Sequence, residues 1–257
     1  MKLTILGCSG SVGAPGNPGS SYVVSTDGNP DVVMDFGPGA LAAMQEHGFD
    51  PSAAHVVFSH LHADHCSDAA SLLVWRRYHP VAPAHERHRL MGPSYTAEHL
   101  ALMGADGPSD PTDISDTFEF TSWTPGEPAV FEGVTITPFL VDHPAVEACA
   151  LRVEDKATGK VATYSGDTGF TPSLIEAARG ASLLFCEAAW GPIADGRPSG
   201  MHLSGEEAGR VAREAGVEKL VLVHIQPWTD KEATRQAAAA EFGGEVVVGD
   251  AGDVFTL

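Results

Sequence analysis

Basic residues are scarce in this chain. Fifteen lysines and arginines stand against 34 aspartates and glutamates, a formal net charge of −19 over 257 residues. A protein that grips polyanionic nucleic acid does so with a basic face, and its affinity scales with the phosphates it neutralises. Long nucleic acid is therefore not an expected partner. Cysteine is sparse too: Cys8, Cys66, Cys149 and Cys186 stand singly, which excludes a disulfide framework or a zinc knuckle. No apolar run is long enough to span a bilayer, so no membrane partner is expected. The apolar stretch at the start breaks at Gly7, which reads as a first strand and not as a secretory signal. Together these absences point to a cytoplasmic protein. Nothing marks a linker, and residues 1–257 are expected to form one domain large enough for a substantial core.

Histidine, by contrast, is concentrated. His60-Leu61-His62-Ala63-Asp64-His65 places three imidazoles and a carboxylate within six residues, directly after the apolar run His55–Phe58. Side chains alternate along an extended backbone, so His60 and His62 point the same way and can grip one ion. His65 breaks that period, so the chain must turn, and Asp64 with His65 would face a second ion. A surface histidine tag has neither a strand before it nor an interleaved aspartate, and a metal site is the reading the spacing favours.

The rest of the chain repeats one arrangement. Val32–Met34 leads through Asp35-Phe-Gly and a helix over 41–45 to the strand before His60. Val161–Tyr164 leads through Ser165-Gly-Asp167 and a helix over 174–179 to Leu183–Cys186 and Glu187. Val134–Val141 ends at Asp142-His143, and Leu220–Val223 ends at His224. Continuous apolar runs are strands buried on both faces, so the expected layers are helix, sheet, sheet, helix. A helix is also expected from Ser67 to Tyr78. Residues 80–130, rich in Pro, Gly and Asp, read as covering loops and hairpins with one helix near 97–103. The basic stretch from Arg76 to Arg89 reads as a solvated helix face. Gly7–Gly13 could offer backbone N–H groups to an anion, although its spacing is not a nucleotide fingerprint.

His60-X-His62-X-Asp64-His65, the lone His143, Asp167 in Ser-Gly-Asp-Thr and the late His224 resemble the metallo-β-lactamase superfamily. That resemblance implies an αββα sandwich of two mixed sheets covered by helices, with a two-metal site at one edge. It puts His60, His62 and His143 on one ion and Asp64, His65 and His224 on the other, with Asp167 bridging both. A carboxylate suits the bridge because it has two oxygens. The ions would be zinc first, with manganese or iron compatible with the same donors. Glu187-Ala-Ala and Met201-His202-Leu-Ser-Gly-Glu-Glu resemble the ribonuclease Z-like branch, with Cys186 standing where that family has a histidine. Ribonuclease Z also carries a tRNA-gripping arm after the third-histidine strand, and only about twenty residues separate His143 from Asp167 here. Leu6–Val12, Val74–Pro80, Gly92–Ser94 and His202–Gly205 are more similar to the class II cyclic-nucleotide phosphodiesterases of this branch.

The resemblance implies hydrolysis of a small cyclic nucleotide, 3′,5′-cyclic AMP to 5′-AMP. Two cations would activate the attacking water and neutralise the phosphoryl charge, and Asp64 would orient or deprotonate that water. His202 would protonate the leaving oxygen, and Glu187 would hold its ring. RNA 3′-processing and other small-molecule hydrolysis are the rivals. A homodimer fits the branch. Asp35 is expected to serve its turn and not to bind metal, and Asp142 is either a neighbour of the ligands or a turn residue. His47, His55, His79, His85, His88 and His99 are expected at the surface or in packing. Trp190 and Trp228 flank strand-end loops, where plain packing is expected over stacking on a base.

Overall fold

Period-two burial builds the architecture. In β1 (Lys2–Gly7), β2 (Ser21–Ser25) and β3 (Val32–Met34), Leu3, Ile5, Tyr22, Val24, Val32 and Met34 join one apolar cluster. The alternate residues Leu6, Val23 and Val33 join another on the opposite face. Opposite-pointing neighbours along a strand produce this division. The computed structural model describes residues Met1–Leu257.

The first half continues with α1 (Ala40–Glu46), β4 (His55–Val57), α2 (Ala63–Cys66), α3 (Ala69–Tyr78), β5 (His88–Gly92), α4 (Thr96–Met103) and β6 (Phe118–Ser122). The second half runs through β7 (Ala129–Val130), β8 (Val134–Leu140), β9 (Cys149–Asp155), β10 (Val161–Tyr164), α5 (Pro172–Ala178), β11 (Leu183–Glu187), α6 (Gly205–Ala215), β12 (Lys219–Val223), α7 (Lys231–Phe242), β13 (Glu245–Val248) and β14 (Val254–Thr256).

Two seven-stranded sheets result, in the orders β14-β1-β2-β3-β4-β5-β6 and β13-β12-β11-β10-β9-β8-β7. Both are mixed. β3 through β6 pair in parallel beside antiparallel β1–β3, and β10 through β13 pair in parallel beside antiparallel β8–β10. The sheets face each other across Leu3, Ile5, Tyr22, Leu151, Phe185 and Val221. Residues of α1, α3 and α4 cover one outer face, and residues of α5, α6 and α7 cover the other. The four layers are those the apolar runs imply. No helix is long and apolar enough to cross a membrane.

Two expectations fail here. Residues 80–130 are not only covering loops, because β5 and β6 extend the first sheet, with β5 hydrogen-bonded between β4 and β6. Arg76 is not on a solvated face: it is 2% exposed. Its guanidinium donates to the carbonyls of Pro51 (3.0 Å) and Ala54 (3.2 Å) and to His88 Nδ1 (2.7 Å), and lies over the Phe118 ring. A planar five-donor cation can be buried where carbonyls meet it. Arg77, by contrast, pairs at the surface with Asp116.

Candidate metal centre

The candidate residues come from strand ends at one rim of the sandwich. β4 runs through Phe58 and Ser59 to His60. His62 is still extended (φ −67°, ψ 152°) and caps the single turn of α2, which carries Asp64 and His65. β8 leads to His143, β10 to Asp167, β11 ends on Glu187 and β12 leads to His224. The turn that the sequence demands after His62 is thus one turn of helix.

The donors cluster into overlapping groups: two hold the seven expected ligands, and His202 completes two more, one with His143 and Asp167 and one with Glu187 and His224. Ligand atoms of His60, His62 and His143 lie within 4.8 Å of one another, and so do those of Asp64, His65, Asp167 and His224. Asp167 sits between these two groups. Its Oδ1 is 3.2 Å from His65 Nε2, and its Oδ2 is 3.4 Å from His224 Nε2 and 3.9 Å from both His60 Nε2 and His143 Nε2. Asp64 Oδ2 lies 3.0 Å from His224 Nε2. His60 Nε2, His65 Nε2 and Asp167 Oδ1 are buried without a hydrogen-bond partner. Buried polar atoms are normally satisfied, so converging orphaned donors fit divalent cations.

Hydrogen bonds fix the rings. Buried Asp35 accepts from His65 Nδ1 (2.7 Å), the Ser59 N–H (2.7 Å), the Ser59 hydroxyl (2.7 Å) and the Tyr164 hydroxyl (2.8 Å). His60 Nδ1 meets Ser59 Oγ at 3.1 Å, and His143 Nδ1 donates to the Met201 carbonyl at 2.7 Å. Each bond turns Nε2 toward the centre, where His143 Nε2 lies 3.0 Å from His62 Nδ1. Asp35 is therefore in no donor group, as expected, but it does more than make a turn: it orients His65. Gly10 and Gly37 allow close approach, since a Cβ at either would overlap the carbonyl of His224 or Asp64 respectively. The glycine loop thus serves backbone packing around the centre.

Protonation suits cation binding. Burial lowers the basicity of His60, His62 and His143, which keeps them neutral, whereas His65, despite its burial, is raised well above the ordinary imidazole value by Asp167 and Asp35 and must give up a proton to bind a cation. Asp167, despite its burial, is held well below the carboxylate range by His224 and His65. Burial opposes ionisation of Asp64 as well, but the hydrogen bond from His224 and the charge of His65, 3.5 Å away, lower it. Neutral imidazoles and ionised carboxylates are the forms that ligate metal.

Beside the donors stands a second pair. His202 Nδ1 is 2.9 Å from Glu187 Oε1 and 3.8 Å from Asp167 Oδ2. Glu187 is fully buried and accepts from the backbone N–H groups of Thr168 (2.7 Å) and Ala189 (3.1 Å). Burial alone would make His202 less basic, but the Glu187 carboxylate overrides it and lifts the imidazole to about 9. A capping box at Ser204, two residues on, starts α6 and fixes the chain after His202.

Every candidate named from the sequence reaches this rim. Asp142 is exposed and joins no donor group; its carbonyl accepts from the Gly169 N–H, which ties the chain before His143 to the loop after Asp167. His47, His55, His79, His85, His88 and His99 also lie outside these groups. Trp190 packs edge-on against His202, with ring centroids 5.0 Å apart. Trp228 does not pack: it is 69% exposed. Sequence reasoning missed Ser59 and Tyr164 as partners of Asp35. The only available signal was the matching place of Asp35 and Asp167 in the repeated strand-turn-helix arrangement.

The profile described as Beta-lactamase superfamily domain matches residues 30–225. An uncharacterized protein of Mycobacterium leprae is 44% identical over 257 residues, covering 100% of this chain and 89% of its own. The probable metallo-hydrolase YhfI of Bacillus subtilis is 29% identical over 266 residues, covering 99% of each chain. The crystal structure of that Bacillus subtilis protein superposes with a TM-score of 0.85 at 24% identity, over 99% of this chain and 98% of its own. A ribonuclease Z of Mycobacterium marinum is 29% identical over 273 residues, covering 97% of this chain and 96% of its own.

Proposed function

Because the chain belongs to the metallo-β-lactamase superfamily, in its ribonuclease Z-like branch, and is a metal-dependent hydrolase, we propose that it is a dinuclear phosphodiesterase opening small cyclic nucleotides, 3′,5′-cyclic AMP first, to the 5′-monophosphate. The observation that carries this reading is the Glu187–His202 pair, held 3.8 Å from Asp167. Expelling an alkoxide from phosphorus requires a proton at the departing oxygen, and a positioned imidazolium supplies it.

In this reading His60, His62 and His143 hold one cation, Asp64, His65 and His224 the other, and Asp167 lies between them. Zinc is the first choice, and manganese or iron suits the same donors. Bound there, the cations supply an activated water and neutralise charge on the phosphoryl oxygens. The chain's own residues do the rest. Asp64, facing the rim, orients or deprotonates the attacking water. His202 gives up the proton on Nε2, since Nδ1 is engaged by Glu187. Glu187 stabilises the imidazolium before transfer and keeps the ring aimed afterwards.

The net charge of −19 favours a small ligand whose charge the cations themselves meet. Between His143 and Asp167 the chain forms only the β9–β10 hairpin, which leaves no arm to grip RNA. Long nucleic acid and membranes are excluded as partners in this reading, a homodimer is allowed, and four separated, buried free thiols suit the cytoplasm. The second reading, an RNA-processing nuclease, draws on the similarity to ribonuclease Z.

Zinc- or manganese-loaded protein, incubated with 3′,5′-cyclic AMP and analysed by chromatography beside His62→Ala, is the test. Formation of 5′-AMP, lost in the variant, is expected. No conversion with either metal refutes cyclic AMP as substrate, and cleavage of short RNA by the same preparation would favour the nuclease.

A further inference from the structure

Three of the four tryptophans are engaged. Trp123 is buried and donates to the Phe58 carbonyl, Trp75 stacks on His79, and Trp190 lies between His202 and the Arg197 guanidinium. Trp228 is different. It is 69% exposed, and no aromatic ring or cation covers either face. Its polar edge is nevertheless fixed: Nε1 donates to Gln226 Oε1 at 3.0 Å. Gln226 Nε2 in turn donates to Ser11 Oγ at 3.0 Å, and the Ser11 N–H donates to Asp64 Oδ2 at 3.0 Å. A chain of three hydrogen bonds therefore ties the open indole to a carboxylate of the candidate metal centre. Leaving a large aromatic surface in water forgoes the gain of burying it, and the tie through Gln226 and Ser11 holds that surface in relation to Asp64.

We infer that Trp228 is the platform on which a nucleobase stacks, with Gln226 and Ser11 as positioning residues, so that this subsite selects nucleotides over base-free phosphodiesters. The inference rests on the reading of the centre as a nucleotide phosphodiesterase. A base offers its π face to an aromatic ring regardless of its hydrogen-bonding edge, so the platform selects for a base more than for its identity. An indole already held in place loses little freedom when the base arrives.

Calorimetric titration of zinc-loaded protein with 5′-AMP and with ribose 5-phosphate isolates the contribution of the base. Wild type is expected to bind 5′-AMP roughly tenfold more tightly than ribose 5-phosphate, the fold-change that stacking on one aromatic ring gives. Trp228→Ala should abolish that preference by weakening 5′-AMP binding alone, and Trp228→Phe should retain most of it. Equal affinities in wild type, or equal weakening of both ligands in Trp228→Ala, would overturn the subsite. So would a fall in the light-scattering mass of Trp228→Ala, which would place the indole between two copies of the chain. Failure of the broader reading is separable: a Trp228-dependent preference for 5′-AMP without opening of cyclic AMP keeps the subsite and removes the phosphodiesterase.

Discussion

At the scale of single residues, two carboxylates with similar burial have separate duties. Asp35 touches His65, Ser59 and Tyr164, whereas Glu187 touches His202 and two backbone N–H groups. Their loss should therefore read out differently. Asp35→Asn loses the ionised acceptor that fixes His65, and cation affinity should fall by about 10- to 100-fold, the usual effect of disturbing a ligand's hydrogen-bond partner. His202→Ala should bind its metals normally and lose about 10²- to 10⁴-fold in turnover, the range for a general acid. Metal content by emission spectroscopy, measured beside turnover in both variants, separates the two. Loss of metal from His202→Ala would make His202 a ligand and end its assignment as the acid.

At the scale of elements, buried Arg76 joins α3 to the ends of β4 and β5, and two histidines beside it make that junction sensitive to acid. Burial depresses the basicity of His55, with Arg89 and Arg76 adding to the effect against the opposing hydrogen bond that its Nε2 donates to Glu132. Burial and then Arg76 depress His88, whose Nδ1 accepts from the guanidinium. Above the ordinary imidazole value of about 6.5 both are neutral in the folded and unfolded states, and their contribution is intact. Below it the unfolded chain takes up protons that the folded chain refuses, so stability falls with pH. Melting temperatures at pH 7.5 and 5.5 should show a smaller drop in His88→Asn, which does not titrate and still offers an oxygen to Arg76. An unchanged drop would exclude this junction as a source of the acid loss. The junction also shows where sequence reading stops. β11, with the continuous run Leu183–Cys186, is legible because strands buried on both faces are apolar throughout. β5 offers only Leu90 and Met91, and β6 is an edge strand with exposed Glu119, Thr121 and Ser122 positions. Their strand conformation comes from neighbours in the sheet, which no local pattern records. The centre divides the same way. His60 to His65 are legible because four donors are adjacent in sequence. The Tyr164–Asp35 contact joins residues 129 apart, and only the folded chain brings them together.

At the scale of the whole molecule, the net charge opposes polyanions. An overall −19 repels a long phosphate backbone, and that repulsion acts over about 8 Å at physiological ionic strength. The centre itself is the local exception. Its cations would add positive charge where Asp64 and Asp167 lie, and Arg197 stands over Trp190, which touches His202. A small monoanion experiences mainly that rim, whereas a long RNA also meets the net negative charge of the rest of the molecule. Filter binding of a tRNA precursor to the metal-loaded protein should therefore give weak affinity in 150 mM salt. On lowering the salt, the plot of log affinity against log salt should stay far shallower than the slope of about −0.9 per phosphate contact expected of a duplex-gripping protein, or about −0.7 on single strands. A slope corresponding to six or more phosphates would require a basic face on this molecule, and the nuclease reading would then replace the small-ligand one.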